Sequence, residues 1–219
     1  MGENKSFLRL PRHIVPKNLG LRQIPTNPLP LLQKMDLSDW LCGLDEVTGK
    51  VISSFGLLRQ EDLHFKPEPA RWSIAENLAH LIVVNNTYFS IIREIREKTY
   101  KLPFLGKIPF LAGFLGSVLQ EYVRPDQNEA KVKTFPIWEP ARYVPETAIL
   151  EDFEKHQQAL RDLRILSEDL ITTGQVIASP ANPHIVYTLK DAFEVILLHE
   201  QRHLLQASAV LHQLCKTPL

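Results

Sequence analysis

Thr188-Leu189-Lys190-Asp191-Ala192-Phe193-Glu194-Val195-Ile196-Leu197-Leu198-His199-Glu200-Gln201-Arg202-His203 carries a fold signal and a chemical signal together. Val195, Ile196, His199, His203, Ala207, Val210 and Leu214 recur at three- and four-residue steps. That spacing predicts an amphipathic helix running to the C-terminus, with Thr188 as N-cap and Asp191 in the first turn. On it His199 and His203 lie one turn apart, on the face shared with Ala192, Val195, Ile196, Ala207 and Val210. Two imidazoles so placed can ligate one metal ion, and the glutamate of His199-Glu200-Gln201-Arg202-His203 stands beside them. With 8 His in 219 residues, a His-x-x-x-His pair arises by chance about 0.3 times and the pentad about 0.02 times. The pentad, not the pair, therefore carries the signal. Buried imidazoles need partners to offset their desolvation, and a metal supplies one. The competing reading is two core histidines satisfied by carbonyls or carboxylates.

Three more segments repeat the helical period. Leu37, Trp40, Leu41, Leu44, Val47, Val51, Ile52, Phe55 and Leu58 form the first stripe, with Asp36 or Ser38 placed to cap it. Ser73 opens the second: its hydroxyl can accept from the Glu76 backbone N–H while that carboxylate reaches back. Ile74, Leu81, Val84, Tyr88, Ile91 and Ile95 continue this stripe to about Lys98. The third follows Pro145, places Glu146, Glu151 and Asp152 at the positive end of the helix dipole, and stops at Gly174. Its apolar edge is Ile149, Phe153, His156, Leu160, Leu163 and Leu170. Between the second and third helices lies the insertion 99–145, proline-bearing and too apolar for a solvated linker, within which Phe110 to Val123 can form a short extra helix. Ser179 to Tyr187 reads as the other irregular connection. Four long helices and no strand series predict an all-α four-helix bundle with a long insertion between helices two and three. Residues 1–34 read as a basic, proline-rich arm ahead of a bundle domain spanning 35–219.

Composition narrows the function classes. Lys plus Arg and Asp plus Glu number 25 each, so nothing marks a surface built for a polyanion, and no nucleic acid is expected. Cys42 and Cys215 have no metal-type spacing, which fits inert thiols in a reducing cytoplasm. The most apolar run, Leu102 to Leu119, is broken by Pro103, Gly106, Lys107, Pro109, Gly113 and Gly116, so no membrane span is expected. The first 34 residues lack the apolar core of a signal peptide. Met1, Gly2 and Ser6 match a loose myristoylation pattern that is common by chance. Leu57, Ile82 and Phe89 fall outside the main stripes, and the apolar surface they leave predicts a homodimer.

A metalloprotease of the zincin type needs a downstream ligand, yet no Asp or Glu follows His203, and Gln206 and Ala209 replace the residues of the extended motif. The third ligand must come from upstream, where His80 and His156 lie in helices and His13, His64 and His184 in loops. His80 stands two turns in from Ser73, on the side of Asn77, Val84 and Ile91. His156 reads as a core histidine or a base beside the metal. Glu200 projects about 100° round the helix from His199, which suits solvent or an interhelical ion pair as well as a general base. Trp40 and Trp72 read as packing anchors.

Trp72-Ser73-Ile74-Ala75-Glu76-Asn77-Leu78-Ala79-His80-Leu81, followed near the C-terminus by His199-x-x-x-His203, resembles the DinB-like superfamily of four-helix-bundle metalloproteins. That family includes DNA-damage-inducible proteins and thiol-dependent S-transferases. The resemblance covers roughly residues 36–215. It implies a three-histidine site for one divalent metal ion, with His80 from helix two and His199 and His203 from helix four. Three neutral nitrogen ligands suit Zn, Ni or Fe and leave coordination positions open. The function expected is that of a metal-dependent hydrolase or thiol S-transferase with a small-molecule substrate, a thiol among the candidates. Phe104, Phe110, Phe114 and Trp138 of the insertion would roof the pocket. The alternative is a non-catalytic metal-binding or stress-associated protein acting through self-association.

Overall fold

A computed structural model describes residues 35–108, 110–125, 138–139 and 148–216. The arm 1–34 with its myristoylation pattern and His13, and the start of the third helix at Pro145 and Glu146, lie outside the described residues. Seven α-helices occur among those described. Four of them form the bundle: α1 (Leu37–Phe55), α3 (Ile74–Arg96), α5 (Ile149–Leu166) and α7 (Leu189–Lys216). The others are short: α2 (Gln60–Leu63), α4 (Leu111–Val123) and α6 (Glu168–Thr172).

Local chemistry sets the boundaries. Asp36 caps α1, accepting from the Asp39 N–H at 2.8 Å while the Asp39 carboxylate accepts from the Asp36 N–H. Ser73 and Glu76 form the expected reciprocal cap of α3, at 3.1 and 2.7 Å. Thr188 and Asp191 do the same for α7. The third helix of the sequence reading is broken in two. Ser167 turns its hydroxyl back to the Leu163 carbonyl at 2.7 Å, α5 ends at Leu166, and α6 ends just before Gly174, whose φ of +70° suits a residue without Cβ. A second departure is a small antiparallel ribbon, β1 (Val176–Ala178) with β2 (Val186–Thr188), pairing Ile177 with Tyr187. Val186 and Tyr187, expected in an irregular connection, are thus its second strand.

In the bundle α1 packs between α5 and α7, and α3 packs between the same two on the opposite side. The Trp40 indole N–H donates to the Phe193 carbonyl at 2.7 Å and Gly43 abuts Leu197, so α1 and α7 run parallel. Asn77 meets His203 and Asn85 meets Glu200, which makes α3 antiparallel to α7. Phe89 packs on His156 while Arg96 pairs with Asp169, so α3 and α5 run in the same direction. The order is up, down, down, up, and the insertion is the crossover joining the two parallel helices. Its helix α4, one residue shorter at its start than the sequence suggests, packs on α7 and β2. Gly116 lets it approach, since a Cβ there would stand 2.6 Å from a carboxylate oxygen of Asp191.

Trp40, Leu44, Val51, Phe55, Ile74, Leu78, Leu81, Phe153, Leu160, Phe193 and Ile196 fill the core. Ile82 and Phe89 pack against it, so of the three residues expected to leave uncovered apolar surface only Leu57 is exposed. Trp40→Phe removes a buried donor and part of a ring from the α1–α7 contact. The expected loss is about 2 kcal/mol, read as a fall in the urea midpoint at unchanged slope.

Candidate metal centre

His80 of α3 and His199 and His203 of α7 meet inside the bundle, their nitrogens all within 4.8 Å of one another. His80 Nε2 lies 3.3 Å from His199 Nε2, and His203 Nε2 lies 3.0 Å from it. The outer nitrogens of His80 and His203 are engaged elsewhere. His80 Nδ1 is 2.7 Å from the Trp138 carbonyl, an oxygen that only accepts, so Nδ1 carries the proton. His203 Nδ1 is 2.8 Å from Asn77 Oδ1, and the Asn77 amide donates to the Ser73 carbonyl at 2.8 Å, which fixes its oxygen toward the imidazole. Both Nε2 atoms are therefore bare lone pairs aimed at His199 Nε2. A proton on that nitrogen can satisfy one of them and no more.

Nor can protonation resolve the excess. Burial lowers His80 to about 4, partly opposed by its bond to the Trp138 carbonyl. Burial drives His199 and His203 well below the usual imidazole range, and neighbouring imidazoles and the Arg202 cation push them further. Three neutral nitrogen donors converging on one point suit a divalent metal. Nitrogens about 2.1 Å from one ion stand about 3.0 Å apart at right angles and about 3.4 Å apart in a tetrahedron, and the two short separations fall in that range. His80 and His203 are buried, while His199 keeps part of its surface open.

Trp72 belongs to the site as well as to the helix entry. Its ring stacks on His203 at 5.7 Å and 21°, and lies 4.7 Å from His80. The sequence reading placed Asn77 beside His80 and Trp138 in a roof over the pocket, but missed that each holds an imidazole by a hydrogen bond. Asn77 left one signal, a polar residue on the buried side of α3 one turn before His80; Trp138 acts through its backbone and left none.

The other candidates lie elsewhere. His64 ends the short α2, and His184 is exposed in the loop between the strands. His156 is buried against Phe89 on α5, diagonally across the bundle from α7, with no partner for Nε2. Phe104, Phe110 and Phe114 are 77, 83 and 63 % exposed and do not roof the site; α4, which Phe110 caps and Phe114 lies on, docks through Ala112 and Gly116 instead. Only Trp138 of that group reaches the histidines. Glu200 corrects a further expectation: it is neither solvated nor ion-paired but fully buried, accepting from Asn85 Nδ2 at 2.9 Å and Gln157 Nε2 at 2.8 Å. Burial raises its carboxyl to about 7 against those two hydrogen bonds. Cys42 and Cys215 are free and exposed.

Residues 44–207 match a family model described as the DinB superfamily. No curated protein and no solved structure matches the chain. No helix among the described residues is long and apolar enough to cross a membrane.

The buried imidazoles set a pH dependence. Burial lowers both His80 and His156 to about 4 from an ordinary 6.5. Between those values the unfolded chain binds more protons than the folded one, so stability of the metal-free protein falls as pH drops through that window. His156→Leu should flatten the slope and be neutral or stabilising at pH 7. Urea midpoints at pH 5 and pH 7 check both expectations.

Proposed function

The chain belongs to the DinB superfamily, and on that premise we propose that it is a metal-dependent enzyme, a hydrolase or thiol S-transferase, holding one divalent ion, Zn, Ni or Fe, on His80, His199 and His203. The observation that carries the reading is the pair of bare Nε2 lone pairs facing His199 Nε2, each fixed by an acceptor on its own Nδ1. Such an ion, when bound, lowers the pKa of a coordinated water or thiol and so provides a hydroxide or thiolate nucleophile at neutral pH.

The chain's own residues do the rest. Asn77 and the Trp138 carbonyl hold two imidazoles in the tautomer that presents Nε2. Trp72 covers one flank of the cluster and keeps bulk water from it. Arg202, buried beside His199 and His203, disfavours a proton on either ring. His199 alone of the three keeps part of its surface open and marks the side from which water or a thiol would reach the ion. The substrate is a small molecule entering from that side, and a cytoplasmic setting suits the two free thiols.

A second reading, a non-catalytic metal-binding protein that self-associates, draws on α4. Phe110, Phe114, Val118 and Tyr122 form an exposed row at four-residue steps along it. A homodimer through this row gives twice the monomer mass by light scattering, and a monomer at micromolar concentration counts against it.

Protein purified without a nickel column should contain one equivalent of metal. His80→Ala should lose most of it and His156→Ala should keep it; the reverse pattern in elemental analysis sinks the assignment. Asn77→Ala should weaken metal binding about 10- to 100-fold, measured by chelator competition. Loaded protein should hydrolyse, or transfer a thiol to, some member of a panel of thiols and organic electrophiles. A blank across the panel removes the enzyme reading and leaves the metal site standing.

A further inference from the structure

Glu200 sits between two of the clustered histidines, yet its hydrogen bonds lead away from them. One oxygen, Oε1, accepts from Asn85 of α3 at 2.9 Å and from Gln157 of α5 at 2.8 Å, so three of the four bundle helices meet on a single atom. All three side chains are buried, with Asn85 and Glu200 at 0 % exposure. The same α3 carries His80 and the Asn77 that holds His203. A side chain pinned at position 200 fixes the rotation of α7 about its axis, and each residue on that helix is offset from the next by about 100°. A turn of α7 large enough to free Glu200 would swing His199 and His203 off His80.

We propose that Glu200 is a positioning residue: its carboxylate, held by Asn85 and Gln157, locks the rotation of α7 that aims His199 and His203 at His80, and it is not the base that the His-Glu-x-x-His pattern suggests. This inference rests on the metal reading above. The donor count supports it. Glu200 Oε2, Asn85 Oδ1 and Gln157 Oε1 are all buried without a hydrogen-bond partner, so the cluster has acceptors in excess and lacks donors. An amide in place of the carboxylate keeps the bonded oxygen, replaces the unpartnered Oε2 by an NH2, and so brings two N–H groups to the two acceptors still lacking a donor, Asn85 Oδ1 and Gln157 Oε1. A positioning role therefore tolerates Glu200→Gln, whereas a base does not. A leucine of similar size breaks both bonds.

The test uses Co(II) as the probe, since its visible absorption reports ligand geometry. Glu200→Gln should take up one equivalent with an unchanged spectrum, affinity within about twofold of the wild type and a melting temperature equal or higher. Glu200→Leu should change the spectrum and lose at least tenfold in affinity. If that variant does not fold, Asn85→Leu, which cuts one of the two bonds, should shift the spectrum in the same sense. The proposal is overturned if Glu200→Gln loses the spectrum as fully as Glu200→Leu, or if Glu200→Leu and Asn85→Leu both retain it. A wild-type protein that takes up no Co(II) refutes the metal reading instead. The lock is then read from imidazole 15N–1H correlations: His203 should keep its Nδ1 proton in Glu200→Gln and populate both tautomers in Glu200→Leu and Asn85→Leu. Unchanged tautomers in both of the latter overturn it.

Discussion

Helices α3 and α5 run in the same direction, so the chain leaving α3 at Arg96 must travel back along the bundle, about 35 Å, before α5 can begin at Ile149. No tight turn does this. The crossover that results is long enough to do more than connect. It lays α4 against α7 and β2, and it brings the Trp138 carbonyl to His80 Nδ1. In the same arrangement α3 stands beside α7 and α5 stands diagonally opposite. His80 reaches the α7 histidines from there, whereas His156 packs on Phe89 of α3 and leaves the reach to α7 to its neighbour Gln157.

The price of placing three imidazoles inside a bundle is desolvation, and the surroundings are organised around keeping them neutral. Each hydrogen bond found at an outer ring nitrogen goes to an oxygen, which fixes the proton on Nδ1 and leaves Nε2 bare; at His80 burial outweighs the pull of the Trp138 carbonyl toward a second proton. The nearby cation, Arg202, acts in the same direction on His199 and His203. The one buried carboxylate on the same stretch of α7 is turned to amides on two other helices. Burial, with Arg202 beside His199 and His203, thus keeps charge off the ring nitrogens and leaves their lone pairs for a Lewis acid.

The helical periods, the three caps and the position of the long crossover were legible because each is a local property: the spacing of Leu and Val, or a Ser with a Glu three residues on. The pentad was legible as residue types at a spacing, and His80 through its place on the second stripe and the family resemblance. What escaped was relational. Ser167 looks like any serine in a helical run, and its bond to the Leu163 carbonyl is one that Thr48, Ser117 and Ser208 make inside unbroken helices, so nothing local announces that α5 ends at Leu166. Trp72 earned a packing role from its place at a helix entry, and only the packing of α3 on α7 sets it over His203. The aromatic residues of the insertion looked like a roof because apolar residues near a site favour its interior, yet the smaller Ala112 and Gly116 permit the closer approach to α7, which turns the rings outward. Glu200 was the hardest case, since the same 100° offset that takes it off the histidine face suits solvent or interior equally.

His80 is oriented by a main-chain oxygen and His203 by a side-chain one. The two arrangements respond differently to genetic change. Any substitution at position 77 alters the group that holds His203, but every residue at position 138 presents the same carbonyl, so point changes there leave the His80 tautomer untouched. Insertions and deletions are another matter, since they move the path of the crossover and with it the oxygen. The site therefore has one tuning control written in residue identity and another written in loop length, and divergence in the length of the crossover can reset the geometry of the histidine cluster without altering any of its three histidines.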